Sequence, residues 1–273
     1  MTRRLLAVWT AGTVLFLLAP IALIILYAFN PSNVQGWPLD GLSTKWFSST
    51  FANHEMRQAL WLSVRAALIA TAIALTLGSL GAFAVHRFRF FGREAVSFVF
   101  ILPLALPGII TGMALNSFFA FGNVNFSLTT IIIGHATFCI VVVYNNVLAR
   151  LRRTQGSLVE ASMDLGADGW TTFRLVTLPV ISTALVAGGL LAFALSFDEV
   201  IVTTFTAGAQ NTLPLWIFGQ IRLGQRLPQV NVVVLVVIAL TIVPVILAQR
   251  LSRDTGVLRG TASAPRVRAR GPR

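Results

Sequence analysis

Long apolar runs separated by short arginine-bearing segments set the pattern of this chain. The first runs from Leu5 to Phe29, about 25 residues where about 20 cross the hydrocarbon of a bilayer. It is too long for a signal-peptide core, and Tyr27-Ala28-Phe29-Asn30 is no small-residue cleavage site, so it reads as a retained first span. Further runs follow at Gln58 to His86, Ala95 to Phe121, Phe126 to Ala149, Pro179 to Val202 and Val230 to Leu251. The pattern therefore predicts an all-α membrane protein with six transmembrane helices. Pro103, Pro107, Gly108 and Gly112 fall inside the third run, which should be kinked or broken there. Between runs, residues 30–57 form a polar loop punctuated by Pro31, Gly36, Pro38 and Gly41, with Trp37 and Trp46 as belt aromatics. A second long loop covers residues 203–229. The tail from Ser252 to Arg273 has arginines and prolines without apolar periodicity, and is expected to be disordered near the membrane surface.

Composition agrees with this pattern. The 273 residues are 56% hydrophobic and only 11% charged, against roughly 25% charged in soluble domains. The net charge of +12 would suggest nucleic acid in a soluble protein; here topology explains it, and nucleic acid is not expected as a partner. Sixteen basic residues fall on the side of both termini and the loops after spans two and four. Only Lys45, Arg57, Arg222 and Arg226 fall on the other, and Arg65 lies within span two. That bias puts both termini and the loop after span four in the cytoplasm. Cys139, the single cysteine, sits in an apolar span and offers neither a disulfide nor a cysteine-based metal site.

One water-compatible stretch, Ser157 to Pro179, interrupts the apolar pattern and reads as two short helices. Ser157 and Glu160 have capping-box spacing. Gly166 can end the first helix, because glycine enters the left-handed conformation of a C′ position without steric cost. Asp168 is a second N-cap, Trp170, Phe173 and Leu175/Val176 give the second helix an apolar face, and Pro179 closes it and opens the fifth span.

Reactive chemistry is sparse. A phosphate-binding Walker loop needs Gly-Lys-Ser/Thr, and the only lysine, Lys45, precedes Trp46, so the chain cannot hydrolyse ATP by that route. The sequence has neither a His-Glu-x-x-His pattern nor a nucleophile elbow. His135 lies inside span four, where a helix-to-helix hydrogen bond is a commoner role than a proton relay. Asp198 and Glu199 are an acidic pair inside span five, near the outer edge of the hydrocarbon. They could attract a cation, with Phe197 adding a cation–π surface, or Asp198 could pair with Arg65; the sequence leaves both open.

Glu160, Ala161, Gly166, Leu178 and Pro179 match, at full spacing, the signature loop of bacterial ABC-transporter permeases, with Ser162 and Val176 as mild departures. Further pieces resemble polyamine (spermidine/putrescine) permeases: Phe29-Asn30-Pro31-Ser32, Ser43-Thr44-Lys45-Trp46, His135 to Cys139, Met163 to Gly166, Leu195 to Glu199 and Thr212-Leu213-Pro214. The similarity implies a type I ABC permease fold over residues 1–253, followed by the tail at 254–273. It also implies a bacterial inner-membrane location, a homologous second permease subunit, an ATPase subunit dimer and an external polyamine-binding protein. No cofactor would belong to this non-catalytic chain; ATP and Mg would be bound by the ATPase. A coupling helix between spans four and five, with Glu160, Ala161, Ser162, Asp164, Leu165 and Gly166, would touch that ATPase. One departure is Pro107-Gly108, where the polyamine permeases have an acidic residue after the proline. The alternatives are another small cargo, such as ferric iron or thiamine, and, in a different class, a stand-alone secondary transporter, which would need a central ionisable relay.

Overall fold

A computed structural model describes residues 2–241. Every regular element among them is helical. The described residues divide into two compact units, one comprising those up to Ala52 together with those from Gly224 to Thr241, the other Asn53–Leu223.

The first unit contains α1 (Thr2–Ala28), α2 (Lys45–Ala52) and α12 (Leu227–Thr241). In α1 only 6% of the apolar window is buried, as suits a helix facing lipid. Trp46 is held by donating from Nε1 to the Asn30 carbonyl at 2.9 Å, and the Phe47 ring packs 5.2 Å from Phe29. Helix α2 thus lies inside what the sequence read as a loop. The first half of the predicted sixth span is α12; its remainder and the 254–273 tail lie outside the described residues.

The second unit runs through α3 (His54–Arg87), α4 (Arg93–Ala105), α5 (Gly108–Phe121) and α6 (Leu128–Arg153). It continues through α7 (Ser157–Asp164), α8 (Gly169–Thr172), a π-helical turn (Phe173–Thr177), α9 (Leu178–Phe197), α10 (Ile201–Thr206) and α11 (Leu213–Leu223). Helix α6 is central, with 67% of its apolar window buried. Its neighbour α3 presents a stripe of small residues, Ala66, Ala67, Ala70, Ala74, Gly78 and Ala82, all buried. Helices in lipid gain little from hiding apolar surface, so close packing must hold them, and small side chains permit it. At Gly78 backbone meets backbone: a Cβ there would lie 2.8 Å from the Ile140 carbonyl oxygen. Phe138, Val143, Tyr144, Val147 and Ile181 fill the core around that contact.

Four described helices are long and apolar enough to cross a membrane, or five if α4 and α5 count as one span. Those two are bent by 100° at the Leu106–Pro107 break, as the prolines predicted. Pro107 removes a donor and pushes the residue before it out of the helical region, and Leu106 accordingly has ψ 141°.

Two boundaries differ from expectation. Span five ends at Phe197, not Val202; the chain breaks at Asp198–Val200 and restarts as α10. The apolar run through Val200–Val202 concealed the break. Pro179, instead of closing a helix, lies inside a continuous helical run from Gly169 to Phe197. The π turn explains the tolerance: the Leu178 N–H reaches back five residues to the Phe173 carbonyl, and the wider turn makes room for the proline ring.

Candidate functional site

Two polar islands interrupt the apolar bundle of the second unit. The first joins α6, α9 and α10. His135 is 1% exposed, its Nδ1 lies 2.7 Å from Ser196 Oγ and its Nε2 lies 2.8 Å from Thr203 Oγ1. The Thr203 hydroxyl donates its one proton to the Glu199 carbonyl at 2.7 Å, so it must accept from His135, which fixes Nε2 as protonated. Nearby, Thr130 Oγ1 bonds the Thr206 carbonyl at 2.8 Å and Asn116 Nδ2 donates to the Phe205 carbonyl at 2.7 Å. Side chains from α5 and α6 thereby satisfy the last carbonyls of a six-residue helix that could not stand alone. His135 is a helix-to-helix bolt, as its position in an apolar span implied. Its partners Ser196 and Thr203 were not singled out from the sequence; hydroxyls in apolar runs are too common to signal a pairing.

Asp198, Glu199 and Phe197 meet at the end of α9. Asp198 is the C-cap residue and exposed, while Glu199 Oε1 accepts from the Val202 N–H at 2.9 Å, capping the start of α10. Phe197 stacks on Phe193, with ring centroids 5.9 Å apart. No ion pair joins Arg65 to Asp198 or Glu199 among the described residues. Arg65 lies off the buried stripe of α3 and is exposed, so the pairing considered from sequence is not formed.

The second island is the segment between α6 and α9. Helix α7 has no buried residue. Ser157 is its first residue and not its cap: Gly156 is already in the right-handed helical region (φ −58°, ψ −31°), and no side chain caps the turn, so the predicted Ser157–Glu160 capping box is absent. Nothing constrains a glycine there to the extended backbone that a cap requires. The other end follows expectation. Gly166 has φ +86°, the Ala167 N–H reaches the Ser162 carbonyl at 3.1 Å, and the Gly166 N–H reaches the Met163 carbonyl at 2.9 Å, the paired bonds of a Schellman stop. Asp168 then caps α8, accepting from the Thr171 N–H at 2.9 Å. Hydrogen bonds from the Thr171 side chain and backbone hold the Asp168 carboxyl below its ordinary range.

Ser162 is tied to buried Thr172 through their hydroxyls, 3.1 Å apart, and this bond fastens α7 to α8. Glu160, Ala161, Asp164, Leu165 and Gly166 are all exposed, Leu165 at 90%. Trp170, 66% exposed, stacks against Phe173. Beneath α7 lies a cavity of about 650 Å3, walled by the ends of α3 and α6, the inner side of α7 and the π turn. Helix α7 is thus two turns long, sharply stopped, tied by one side-chain bond among the described residues, Ser162 to Thr172, and leaves Leu158, Met163 and Leu165 exposed.

Residues 74–257 match the family described as "Binding-protein-dependent transport system inner membrane component". The chain belongs to that family. It is also 36% identical over 225 residues, 79% of each chain, to the putrescine transport system permease protein PotI of Escherichia coli strain K12. With the spermidine/putrescine transport system permease protein PotC of the same strain it shares 33% over 240 residues, 88% of this chain and 90% of that one. A crystal structure of a bacterial ABC transporter that imports the acidic polysaccharide alginate superposes with a TM-score of 0.66. That match covers 93% of this chain and 95% of the other at 16% identity, a likeness of fold alone. The chain is thus a multi-pass inner-membrane permease subunit of the type I ABC-importer fold.

Proposed function

We propose that this permease subunit serves an ATP-driven importer of polyamines, putrescine or spermidine. The cargo rests on the relatives, whose names specify putrescine and spermidine/putrescine over most of their length. A homologous second permease subunit completes the translocation path, an external binding protein delivers the polyamine, and a separate ATPase dimer binds ATP and Mg. Arginine bias supports placing α7 on the cytoplasmic side: Arg87, Arg89, Arg93, Arg150, Arg152, Arg153 and Arg174 cluster at the helix ends around it.

The observation that carries the coupling role is α7 itself, without a buried residue and ended by the Gly166 stop. Glu160, Ala161, Ser162, Asp164, Leu165 and Gly166 contact the ATPase. Nucleotide binding can move the permease only because the closed ATPase holds one position of α7 more tightly than another, a difference in affinity and not contact alone. The Ser162–Thr172 tether and the continuous helix from Gly169 to Phe197 then transmit the displacement toward the far end of α9. There Asp198 and Glu199, with Phe197, line the outer path and attract the cation.

The test is uptake of labelled putrescine and spermidine by the reconstituted assembly, with the ATPase omitted as control. Uptake with ATPase present and none without it is expected; ATPase-independent uptake overturns the proposal. Gly166→Val forces a β-branched residue to φ +86°. It should abolish cargo-stimulated ATP turnover and leave membrane insertion intact, and unchanged turnover would remove α7 from the coupling path.

A further inference from the structure

The cavity beneath α7 has two chemically distinct walls. One is apolar: Phe83, Leu151, Phe173, Val176, Val180 and Ile181. The rim is polar, with His86 and Arg87 at the end of α3, Thr154 and Gln155 after α6, and Glu160 on α7. Its size, about 650 Å3, is that of a small-molecule site. Positive charge gathers on the α3 side. Arg87 stands on the rim and makes no ion pair among the described residues, and Arg89 and Arg93 follow it within six residues of chain. Such a concentration of positive charge attracts an anion. The cavity opens where the arginine-bearing ends of α3 and α6 would meet the headgroups of one leaflet.

We infer that this cavity takes the headgroup and first methylenes of an anionic phospholipid with a hydroxyl-bearing head, of the phosphatidylglycerol type. The phosphate lies toward Arg87 and His86. Thr154, Gln155 and Glu160 receive the headgroup hydroxyls, and Glu160 on the opposite wall turns the phosphate away from itself toward α3. The acyl chains begin along Phe83, Val180 and Ile181. A neutral headgroup would leave the arginines uncompensated, and an apolar occupant would bury Glu160 without a donor. Because α7 has no buried residue, whatever fills this cavity sets how far α7 stands from the bundle. Bound lipid therefore tunes the coupling helix from its cavity side. The regulatory part of this inference rests on the coupling role proposed above; the lipid site itself does not.

The experiment uses the full assembly in nanodiscs of phosphatidylcholine, with or without one quarter phosphatidylglycerol. Native mass spectrometry counts retained lipid, and ATP turnover is measured in parallel. Retained phosphatidylglycerol is expected in the unaltered protein. Arg87→Gln should reduce retention about fivefold, the equivalent of about 1 kcal/mol for one arginine at a lipid surface. Arg87→Lys should preserve retention and Val180→Trp, which fills the apolar wall, should eliminate it, each with an unchanged thermal midpoint. Turnover should rise with phosphatidylglycerol in the unaltered protein and not in Arg87→Gln. Equal retention in Arg87→Gln, or equal retention of phosphatidylcholine, overturns the site. So does displacement of phosphatidylglycerol by millimolar inorganic phosphate, which would identify a free-anion site. Lipid counting needs neither cargo nor hydrolysis. Retained lipid with no polyamine-stimulated turnover therefore defeats the cargo proposal and not this one, and normal uptake with no lipid dependence removes the regulatory part and leaves the cargo proposal standing.

Discussion

The His135 junction and the α7 segment are both polar interruptions of an apolar chain, and they are finished to different degrees. At His135 both ring nitrogens have partners, and side chains from α5 and α6 satisfy the carbonyls at the end of α10. At α7 no residue is buried, one side-chain bond ties the helix down, and Leu158, Met163, Leu165 and Trp170 are exposed at 46, 44, 90 and 66%. A polar group in hydrocarbon must be satisfied by its own protein, whereas one at the surface can be left for another chain. Completeness therefore separates the His135 junction from the segment proposed as an interface, although the two look alike along the sequence.

The sharpest test of the contrast is to make one substitution in the packed bundle around α6 and again beside α7. Gly78→Ala places a Cβ 2.8 Å from the Ile140 carbonyl and 3.0 Å from the Tyr144 nitrogen, backbone atoms that cannot yield unless α3 and α6 separate. A loss at the upper end of about 1–3 kcal/mol is expected, seen as a lower unfolding temperature in detergent and poor monodispersity. Gly156→Ala beside α7 meets nothing within 4 Å and keeps an ordinary helical φ, so it should be neutral or stabilise by up to about 1 kcal/mol. Equal effects at the two glycines would show that the bundle is no better packed than the loop.

His135→Ala comes next. It removes two interhelical bonds, each worth about 0.6–1.7 kcal/mol in a membrane, and leaves Ser196 without its partner. Thermal stability should fall by about 1–3 kcal/mol, with uptake per folded transporter nearly unchanged. Uptake that loses its pH dependence at normal stability would instead return His135 to a proton-relay role. Asp198→Asn should show the opposite split. Asp198 is exposed and supports no described ion pair, so stability should hold while polyamine uptake weakens several-fold, about 1 kcal/mol of lost cation attraction. Normal uptake with lower stability would make Asp198 structural.

Much of this arrangement is legible in the sequence because bilayer thickness imposes a length that apolar runs must meet, and because proline and glycine mark breaks. The bend at Pro107, the Gly166 stop and the Asp168 cap follow from residues whose conformational preferences are intrinsic. The missed features depend on neighbours distant in the chain. Helix α10 opens with Ile201 and Val202, which hydropathy cannot separate from span five, and continues through threonines that read as loop; its one local sign is Glu199, three residues before the N–H it caps. Helix α11 lay in an assumed loop because its anchoring bond, from the Leu213 N–H to Ser63 Oγ, spans 150 residues. The Ser157–Glu160 box failed because spacing alone cannot show that Gly156 continues the helical turn.

The smallest expected effect tests whether the α7 segment, though incomplete, has local order of its own. Asp168 is fully exposed, and its carboxyl is held low by hydrogen bonds from the Thr171 side chain and N–H. A carboxylate with a depressed folded value stabilises its cap fully above the unfolded value. That contribution is lost as pH falls below the ordinary aspartate value of 3.8 and through the lower folded one. Amide exchange at Thr171, corrected for intrinsic rate, should therefore be slow at pH 6 and accelerate only below about pH 4, where the carboxylate protonates. Asp168→Asn keeps an acceptor that does not titrate, so exchange should stay slow and lose its acid limb. Asp168→Ala should exchange fast at every pH, with the global unfolding temperature unchanged. If Thr171 is equally protected in all three proteins, contacts from the bundle and not the cap order the start of α8, and the segment is less self-contained than its backbone geometry implies.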